Sequence, residues 1–522
     1  MSKNKSNIDF IPQENRYKIL LMSDDLRFPS GIGNVSRDLV SSTAKHFNWV
    51  QLGGAGKHSD AGKIIDCSQS LNEELNITDS YCKIYCTNGY GDANTLREII
   101  ALEKPDAIIH FTDPRYWEWL YLIEDEIRKE VPLMYLNIWD DLPDPQYNAS
   151  FYASCDLLFS ISKQTYGINK RVLDRHQHPN ITEKELLTLD KTNKKLNGST
   201  VLSYLPHGVN QEMFKPLNPG DDVKFDTFAE QYKDKFVIFW NNRNMQRKQL
   251  PSTLLGIKYF KDNVERVLGK EKSDKIKVIL QTTPVDGNGT DIPTLCKSLL
   301  PDVDVEFSPN GISSEEVNYL LNIADVTVNI CSNEGFGLGT AESLMAGTPI
   351  IVNLTGGLQD QIGLINNKTN EYYTAEDYID FKSAHVVENI KELTHGEWAF
   401  IVENSRSLQG APQTPYIFDD RADFEELGLK LVQIYSLSRK ERKELGLAGR
   451  EFLLDEKTLL CLTSMGKKFI EVTTAFMKTW TPKKPHRFIK NIQNKNVNVF
   501  DTVKITNKYK HLIDDILSHN KN

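Results

Sequence analysis

The stretch that decides the fold of this chain is Asn333-Glu334-Gly335-Phe336-Gly337-Leu338-Gly339-Thr340-Ala341-Glu342-Ser343-Leu344-Met345-Ala346-Gly347-Thr348-Pro349. It follows the apolar run Val326-Thr327-Val328-Asn329-Ile330, and the pattern predicts a buried strand, a glycine-rich turn and a helix. The glycines of the turn carry no Cβ, so backbone N–H groups can approach a ligand closely. Because these N–H groups open a helix, we expect the turn to bind an anion.

Two glutamates lie eight residues apart on either side of the turn, Glu334 in the loop and Glu342 on the helix. Each carboxylate can accept hydrogen bonds from hydroxyl groups. A ligand that brings a diphosphate to the amides and hydroxyls to the carboxylates is a nucleotide sugar. The stretch therefore predicts a nucleotide-sugar site.

This spacing resembles the Glu-x7-Glu signature of retaining glycosyltransferases of the GT-B fold, most closely the large family 4. The resemblance implies that Glu334 contacts the transferred sugar, Glu342 the ribose, and the turn Gly335-Phe336-Gly337-Leu338-Gly339 the diphosphate. It also implies an α/β fold in which two Rossmann-like domains with doubly wound parallel sheets face a central cleft. The alternative is a structural turn before a packed helix in an unrelated doubly wound fold.

Length and composition fit a large soluble protein. At 522 residues the chain is too long for one core, which predicts two domains of about 200 to 250 residues each. Apolar residues make up 39% and charged residues 25% of the chain, as in soluble globular proteins. No apolar run approaches the roughly 18 residues of a membrane span, so we expect no transmembrane segment and a cytoplasmic location, in the host cytoplasm if the protein is viral. Seven cysteines without framework spacing argue against a disulfide scaffold.

The first domain is expected to contribute a glycine loop to the donor site. Gly31 and Gly33 follow the predicted strand Tyr17-Lys18-Ile19-Leu20-Leu21-Met22 and precede a predicted helix. This arrangement resembles the first unit of family 4 enzymes, in which the loop reaches toward the donor phosphates and the acceptor. Many mononucleotide-binding folds begin in the same way.

Candidate catalytic and acceptor-side residues follow two further predicted strands. His110 and Asp113 lie at the end of the strand that begins at Ala107, and the carboxyl ends of parallel strands line the ligand crevice. Related enzymes place a histidine or an acid here against the acceptor or transferred sugar, and the departure of this chain from their pattern favours Asp113 over His110. Trp139 and Asp140 end the next strand and are predicted on the acceptor side. Packing of His110 inside its strand is the alternative.

The second domain supplies two candidate cations, Arg243 and Lys248, after the predicted strand that begins at Phe236. Their spacing resembles the family 4 pair that neutralises the donor diphosphate. Fixed cations favour a transition state in which the leaving diphosphate gains negative charge. The resemblance implies that positive groups replace a metal ion, so we expect neither metal nor cofactor. Asp302-Val303-Asp304 matches the metal motif of the other main glycosyltransferase fold, but it precedes a strand and should face away from the crevice.

The domain boundary is expected near residue 217. The turn Pro206-His207-Gly208-Val209-Asn210, followed by Phe214-Lys215-Pro216, resembles the end of the first domain in family 4 chains. Proline and glycine suit such a turn because proline presets φ and glycine takes positive φ. We predict an acceptor-side domain over 1–217, a donor domain over 218–477, insertions at 163–200 and near 363–415, and crossover helices at about 478–522.

The acceptor and further partners are left open. Glycans, lipids, small molecules and hydroxymethylated viral DNA bases all offer hydroxyl groups. Residues 478–510 hold nine Lys and Arg against one acid, Asp501, so the segment carries about +8 and could contact DNA or an anionic lipid surface. A solvated terminal helix or tail is the alternative. Two other functions also fit the donor pocket: a sugar-nucleotide epimerase, and a non-catalytic sugar-nucleotide or nucleic-acid-binding protein.

Overall fold

The computed structural model describes residues 11–308, 311–381 and 393–484, and it contains two parallel sheets. Both sheets lie in one compact unit that ends at Lys483. The strands of the first sheet are β1 Tyr17–Asp24, β2 Phe47–Gly54, β3 Ile64–Asp66, β4 Cys82–Cys86, β5 Ala107–Phe111, β6 Leu133–Asn137, β7 Leu157–Ser160, β8 Asn180–Thr182 and β9 Thr200–Tyr204. The later strands are β10 Phe236–Asn241, β11 Ile276–Gln281, β12 Asp304–Ser308, β13 Val326–Asn329, β14 Ile350–Asn353, β15 Ile365–Asn366, β16 Glu371–Tyr372, β17 Ala399–Val402, β18 Asn404–Ala411 and β19 Thr414–Ala422.

Helices connect the strands. They are α1 Gly31–Thr43, α2 Ser68–Leu75, α3 Ala93–Glu103, α4 Glu118–Leu122, α5 Glu124–Ile127, α6 Ala149–Ala153, α7 Lys163–Arg175, α8 Glu183–Lys191, α9 Val223–Ala229, α10 Leu250–Leu268, α11 Lys270–Ser273, α12 Ile292–Leu299, α13 Ser314–Ile323, α14 Leu338–Met345, α15 Leu358–Gln361, α16 Phe424–Ser436, α17 Arg439–Leu454 and α18 Leu462–Thr479. Alternation of strands and helices confirms the predicted α/β class.

The first sheet has the order β3-β4-β2-β1-β5-β6-β7-β9-β8, and only the β3–β4 pair is antiparallel. Its central strands are buried on both faces, as expected of a parallel sheet covered by helices, and they read as continuous apolar runs such as Ile19-Leu20-Leu21-Met22. The strand order reverses between β1 and β5. A crevice forms outside the carboxyl ends of the strands at such a point.

The second sheet has the order β12-β11-β10-β13-β14-β17 and is wholly parallel. Here the order reverses between β10 and β13, so the segments that follow these two strands line its crevice. Those segments hold the predicted cations after β10 and the glycine turn after β13. The predicted strand before the turn is therefore a central strand of the sheet.

The two stretches predicted to be insertions contain helices and strands that belong to the two main sheet layers. In residues 163–200, the helix α7 buries Tyr166, Val172 and Leu173 against the first sheet, so this stretch is not an insertion. In residues 363–415, the apolar run Ala399–Val402 forms β17, which pairs with β14 of the second sheet. The additional parts are the short β15–β16 pair and the hairpin of β18 and β19.

The β18–β19 hairpin joins the second sheet to the first. The Phe418 N–H donates to Leu142 O at 2.6 Å, and the Tyr416 hydroxyl donates to Asp144 O at 3.0 Å. The Tyr147 hydroxyl donates to Tyr416 O at 2.9 Å. These contacts hold the loop after β6, which carries the predicted acceptor-side residues, against the second half of the chain.

A C-terminal helix does return to the first sheet, but earlier than predicted. Phe469 and Phe476 of α18 are buried in the core beside Phe47 and Trp49. Phe469 meets the Phe47 ring edge-on, with 5.7 Å between ring centroids. The predicted crossover over 478–522 lies mostly outside the described residues, and the domain boundary near residue 217 stays a prediction.

Gly208 is expected to be essential for this return. A Cβ at residue 208 would lie 2.7 Å from Leu462 Cα and 2.8 Å from Cys461 O, which are backbone atoms that cannot rotate away. We predict that Gly208→Ala destabilises the protein by about 1–3 kcal/mol, the usual cost of overpacking. Gly287 is the matched control because nothing lies within 4 Å of the corresponding position. Equal melting temperatures for Gly208→Ala and Gly287→Ala would refute the close approach.

Candidate functional site

The glycine turn places the start of α14 at the cleft. Gly337 adopts a φ of 91°, which favours glycine, and precedes the first residue of the helix. The Thr340 and Ala341 N–H groups both donate to Gly337 O at 3.2 Å. The N–H groups of Leu338 and Gly339 therefore stand ahead of the first helical hydrogen bonds, and N–H groups at this position of a helix can bind an anion.

Glu334 is the centre of a buried charged cluster. Its carboxylate forms an ion pair with Lys248 and accepts a hydrogen bond from the Cys331 thiol at 3.0 Å. Burial raises the pKa of Glu334, but Lys248 and Arg247 outweigh burial and lower it to about 2. Glu334 is thus an anion at every physiological pH. It can accept hydrogen bonds from sugar hydroxyls, but it cannot serve as a proton donor.

Arg247, which the sequence did not indicate, belongs to this cluster, whereas the predicted Arg243 does not. Arg247 donates to Asn333 O at 2.6 Å, and it lowers the pKa of Glu334 from beside Lys248. The side chain of Arg243 is 66% exposed and lies 3.8 Å from Asp286. The structure therefore brings Lys248 and Arg247 together at the turn, and it does not bring Arg243 into this cluster.

The first sheet meets this cluster through the loop after β6. Trp139 is buried under the Arg115 guanidinium, 5.0 Å from its ring. Asp141 accepts a hydrogen bond from Asn333, so the two loops touch directly. Burial raises the pKa of Asp140 to about 6 even though Arg247 opposes this rise. Carboxylates from the first sheet thus face cations from the second.

The structure argues against a catalytic role for His110. Its side chain is fully buried, stacks on Tyr135 with 4.1 Å between ring centroids, and has Nε2 2.6 Å from the Tyr121 hydroxyl. Burial lowers its pKa to about 3, so the ring is neutral. These contacts favour the alternative, packing of His110 inside its strand, and a functional role of His110 stays a prediction.

Asp113 has local partners. Its carboxylate caps the 3-10 helix Pro114–Trp117 by accepting from Arg115 N at 2.9 Å, and it pairs with the Arg115 guanidinium at 2.8 Å. The residue is half-buried, and its predicted catalytic role stays a prediction. The two contacts with Arg115 are enough to explain why an acid stands at position 113, and no contact with a substrate is needed for that explanation.

The predicted glycine loop of the first domain faces α14. A Cβ at residue 31 would lie 3.7 Å from Leu338 Cδ1, so the starts of α1 and α14 meet. Ser30 caps α1 by accepting from Gly33 N at 2.9 Å. Phe336 packs edge-on against His207, with 5.2 Å between ring centroids, which fixes the middle of the turn.

Glu342 faces an acid of the first domain. Burial raises the pKa of Glu342 to about 7, and the charge of Asp38 on α1 adds to this rise. Burial likewise raises the pKa of Asp38 to about 6. Two carboxylates that repel each other across a cleft are stabilised by a ligand that donates hydroxyl hydrogen bonds to both.

Among the residues that the structure describes, one group could hold a metal ion by distance alone, namely Asp25, His58 and Cys86. The Asp60 N–H donates to His58 Nδ1 at 2.9 Å, so Nε2 carries the ring proton that it shares with Asp25 at 2.9 Å. The Arg27 guanidinium donates to Cys86 Sγ at 3.2 Å and to Asp25 at 2.7 Å. A cation already fills the centre, and this group does not fit a metal ion.

The acidic motif that resembles a metal site points elsewhere. Asp304 begins β12, so it lies at the amino end of a parallel strand, and it pairs with Lys277 at 3.0 Å. The crevice lies at the other end of the strands. The expectation that this motif faces away from the cleft is confirmed.

The predicted contact with DNA or anionic lipid stays a prediction. Of the basic segment 478–510, the structure describes only the first seven residues. Within these, Lys483 pairs with Glu124 at 2.8 Å. No helix among the described residues has the length and apolar character needed to cross a bilayer.

Replacing Glu342 with glutamine is expected to stabilise the protein at alkaline pH. The folded-state pKa of about 7 exceeds the ordinary 4.5, so the protonated carboxyl favours the folded state. This stability is fully present below about pH 4.5 and is lost as the pH rises through 7. The melting temperatures of Glu342→Gln and the wild type should therefore agree near pH 4.5, and Glu342→Gln should be more stable than the wild type at pH 8. The exposed Glu444→Gln is the control, and a pH-independent difference between Glu342→Gln and the wild type would contradict this prediction.

Comparisons with known proteins agree with this geometry. Residues 287–379, which include the glycine turn, match the protein family "Glycosyl transferases group 1". Comparison with curated protein sequences gave no match. Among solved structures, Anabaena HepE in complex with UDP-glucose is 11% identical with a TM-score of 0.56, covering 88% of this chain and 99% of its own.

Two further structures are similar. Sucrose-phosphate synthase from Thermosynechococcus elongatus is 14% identical with a TM-score of 0.56 and covers 88% of this chain and 98% of its own. A glycosyltransferase from Rickettsia africae is 14% identical with a TM-score of 0.54 and covers 89% of this chain and 99% of its own. The fold is the two-domain GT-B fold, as predicted, and a glycosyltransferase is the class of protein that these findings support.

Proposed function

We propose that the chain is a retaining glycosyltransferase that moves a sugar from a nucleoside-diphosphate sugar to an acceptor hydroxyl. The observation that supports this proposal most strongly is the Glu334 cluster, in which Lys248 and Arg247 lie beside the open start of α14. Anion-binding amides, cations and a permanent carboxylate stand together at one end of the second sheet. Each of these groups can bind a different part of a nucleoside-diphosphate sugar.

The chemistry assigns each group a task. The amides of Leu338 and Gly339 and the two cations hold the diphosphate, which gains negative charge as its bond to the sugar breaks. Glu334 accepts hydrogen bonds from the hydroxyls of the transferred sugar, and Glu342 accepts from the ribose. Because fixed positive groups surround the leaving group, we propose that no metal ion is required.

The acceptor enters from the side of the first sheet. The loop after β6 brings Trp139 and Asp140 to the cluster, and Trp139 is held by Arg115. We propose that the acceptor hydroxyl lies between this loop and Glu334. Release of nucleoside diphosphate that depends on an acceptor distinguishes this activity from a sugar-nucleotide epimerase.

UDP-sugars are the first donors to test because the similar HepE structure holds UDP-glucose. We expect one of the three nucleotides UDP, GDP and ADP, together with its nucleotide sugars, to raise the melting temperature of the purified protein. Stabilisation of about 2.7 kcal/mol is expected at a hundredfold excess over the dissociation constant. Glu342→Ala should lose most of the shift, whereas the exposed Glu444→Ala should keep it. Absence of any shift, or an equal shift in Glu342→Ala, would refute the donor site.

A further inference from the structure

We propose that the exposed ring of Tyr116 is a binding platform for a sugar ring of the acceptor, so that the acceptor of this chain is a carbohydrate. This inference rests on the proposed function and deepens it, because it names the class of molecule that carries the acceptor hydroxyl. The platform follows β5 of the first sheet, where the strand order reverses between β1 and β5.

Tyr116 presents an open aromatic face. The residue is 57% exposed, although its ring lies nearly parallel to the ring of Tyr90, with 5.0 Å between centroids and 17° between planes. Tyr90 therefore covers one face of the Tyr116 ring and leaves the opposite face to solvent. Offset-stacked rings at this distance attract each other, so the exposed ring is held in place before a ligand binds.

Further contacts hold the stack in place. Trp117, which is fully buried, meets the Tyr90 ring with 4.9 Å between centroids. The Tyr90 hydroxyl donates to Asp24 Oδ1 at 3.1 Å and has a second side-chain hydrogen bond with Thr112. Ring packing and hydrogen bonds together fix Tyr90. A rigid support reduces the conformational entropy that is lost when a ligand binds the platform.

The backbone that leads to Tyr116 is strained. Thr112, directly after β5, has a φ of 115°. A β-branched residue is an outlier at positive φ, and such conformations cluster at functional sites, where the surrounding structure holds them. Thr112 leads into the 3-10 helix Pro114–Trp117, which Asp113 caps. The strained turn thus sets the direction in which this helix, and Tyr116 with it, leaves the end of β5.

One chain of contacts connects the platform to the glycine turn. Asp24, which accepts from Tyr90, also accepts from Ser30 Oγ at 2.8 Å. Ser30 caps α1, and the first residue of that helix, Gly31, faces Leu338 at the start of α14. The platform therefore lies at the same end of the first sheet as the residues that meet the proposed diphosphate site.

A second chain of contacts runs through the loop after β6. Arg115, the residue before Tyr116, lies 5.0 Å from the Trp139 ring. Trp139 belongs to the loop after β6, which accepts a hydrogen bond from Asn333 of the second half of the chain. Tyr116 is therefore placed where a molecule that enters the cleft from the first sheet can reach it.

The charges around the platform favour a neutral, hydroxyl-rich ring. The segment from the end of β5 through α4 carries the acids Asp113 and Glu118 and the single base Arg115. Arg115 is paired with Asp113 at 2.8 Å, and Asp24 adds a carboxylate beneath the stack. DNA and anionic lipid surfaces are bound through cations, whereas carboxylates accept hydrogen bonds from hydroxyl groups. A sugar ring offers hydroxyls at its edge and an apolar C–H face for the aromatic ring.

The test measures the binding of simple carbohydrates to the full-length protein by saturation-transfer NMR in the presence of UDP. The probes are the methyl glycosides of glucose, galactose, mannose and N-acetylglucosamine, together with maltose and cellobiose. Because stacking uses the C–H face that pyranose rings share, we expect saturation of ring C–H protons in several of these probes. Tyr116→Ala should raise their dissociation constants about tenfold, whereas Tyr116→Phe, which keeps the ring, should leave them unchanged.

Tyr372→Ala is the matched control. Tyr372 is 44% exposed and also meets an aromatic ring, that of Phe452, but it lies on β16, outside the first sheet. Sugar binding by this variant should equal that of the wild type. The rise in melting temperature with UDP should be the same in all variants and the wild type, because none of these substitutions touches the proposed donor site.

Each outcome bears on the inference. Binding of the sugars that depends on the Tyr116 ring supports it. The inference is overturned if no probe binds the wild type or if Tyr116→Ala binds the probes as tightly as the wild type. It is also overturned if DNA containing hydroxymethylcytosine, or phosphatidylglycerol vesicles, bind through Tyr116 while the sugars do not. These results leave the donor site untouched, whereas absence of stabilisation by any nucleotide or nucleotide sugar refutes the glycosyltransferase proposal even if the sugars bind.

Discussion

The buried ion pair between Lys248 and Glu334 is the interaction on which the site depends. Removing two charges from water costs several kcal/mol per ion, and a buried pair persists only when further groups complete its hydrogen bonds. Here the Cys331 thiol donates to Glu334, and Arg247 adds a second positive charge. The pair joins the segment after β10 to the segment after β13, which are neighbouring strands. It therefore fixes the two loops that carry the cations and the glycine turn.

The remainder of the site follows from sheet topology. Each sheet reverses its strand order near its centre, and the carboxyl ends at that reversal are the places where loops can hold ligands. The second sheet supplies positive charge and amides, whereas the first supplies carboxylates. The contact between Asp141 and Asn333 brings the two together. Opposite charges on the two sides of the cleft keep the facing loops close, and the repulsion between Glu342 and Asp38 acts in the opposite direction nearby.

The sequence predicted those parts of the structure that are encoded locally. The strand, glycine turn and helix around Glu334 follow from a continuous apolar run and from glycine spacing. Arg247 was missed because its role depends on the direction in which the turn after β10 points its side chains. The full burial of His110 could not be predicted because a strand-end position does not reveal which sheet face a side chain occupies. The sequence of α7 resembles an insertion because polar residues on the outer face of the helix mask the apolar positions of Tyr166, Val172 and Leu173.

The β18–β19 hairpin has a consequence for how the protein moves. Any separation of the two sheets that preserves the hydrogen bonds of Tyr416 and Phe418 must be a rotation about an axis close to the hairpin. Displacement grows with distance from such an axis. The end of the cleft marked by Glu342 and Asp38 then widens more than the end marked by Asp141 and Asn333, which contacts the hairpin through Phe418 O at 2.7 Å. The hairpin thus leaves the two ends of the cleft with unequal freedom to open.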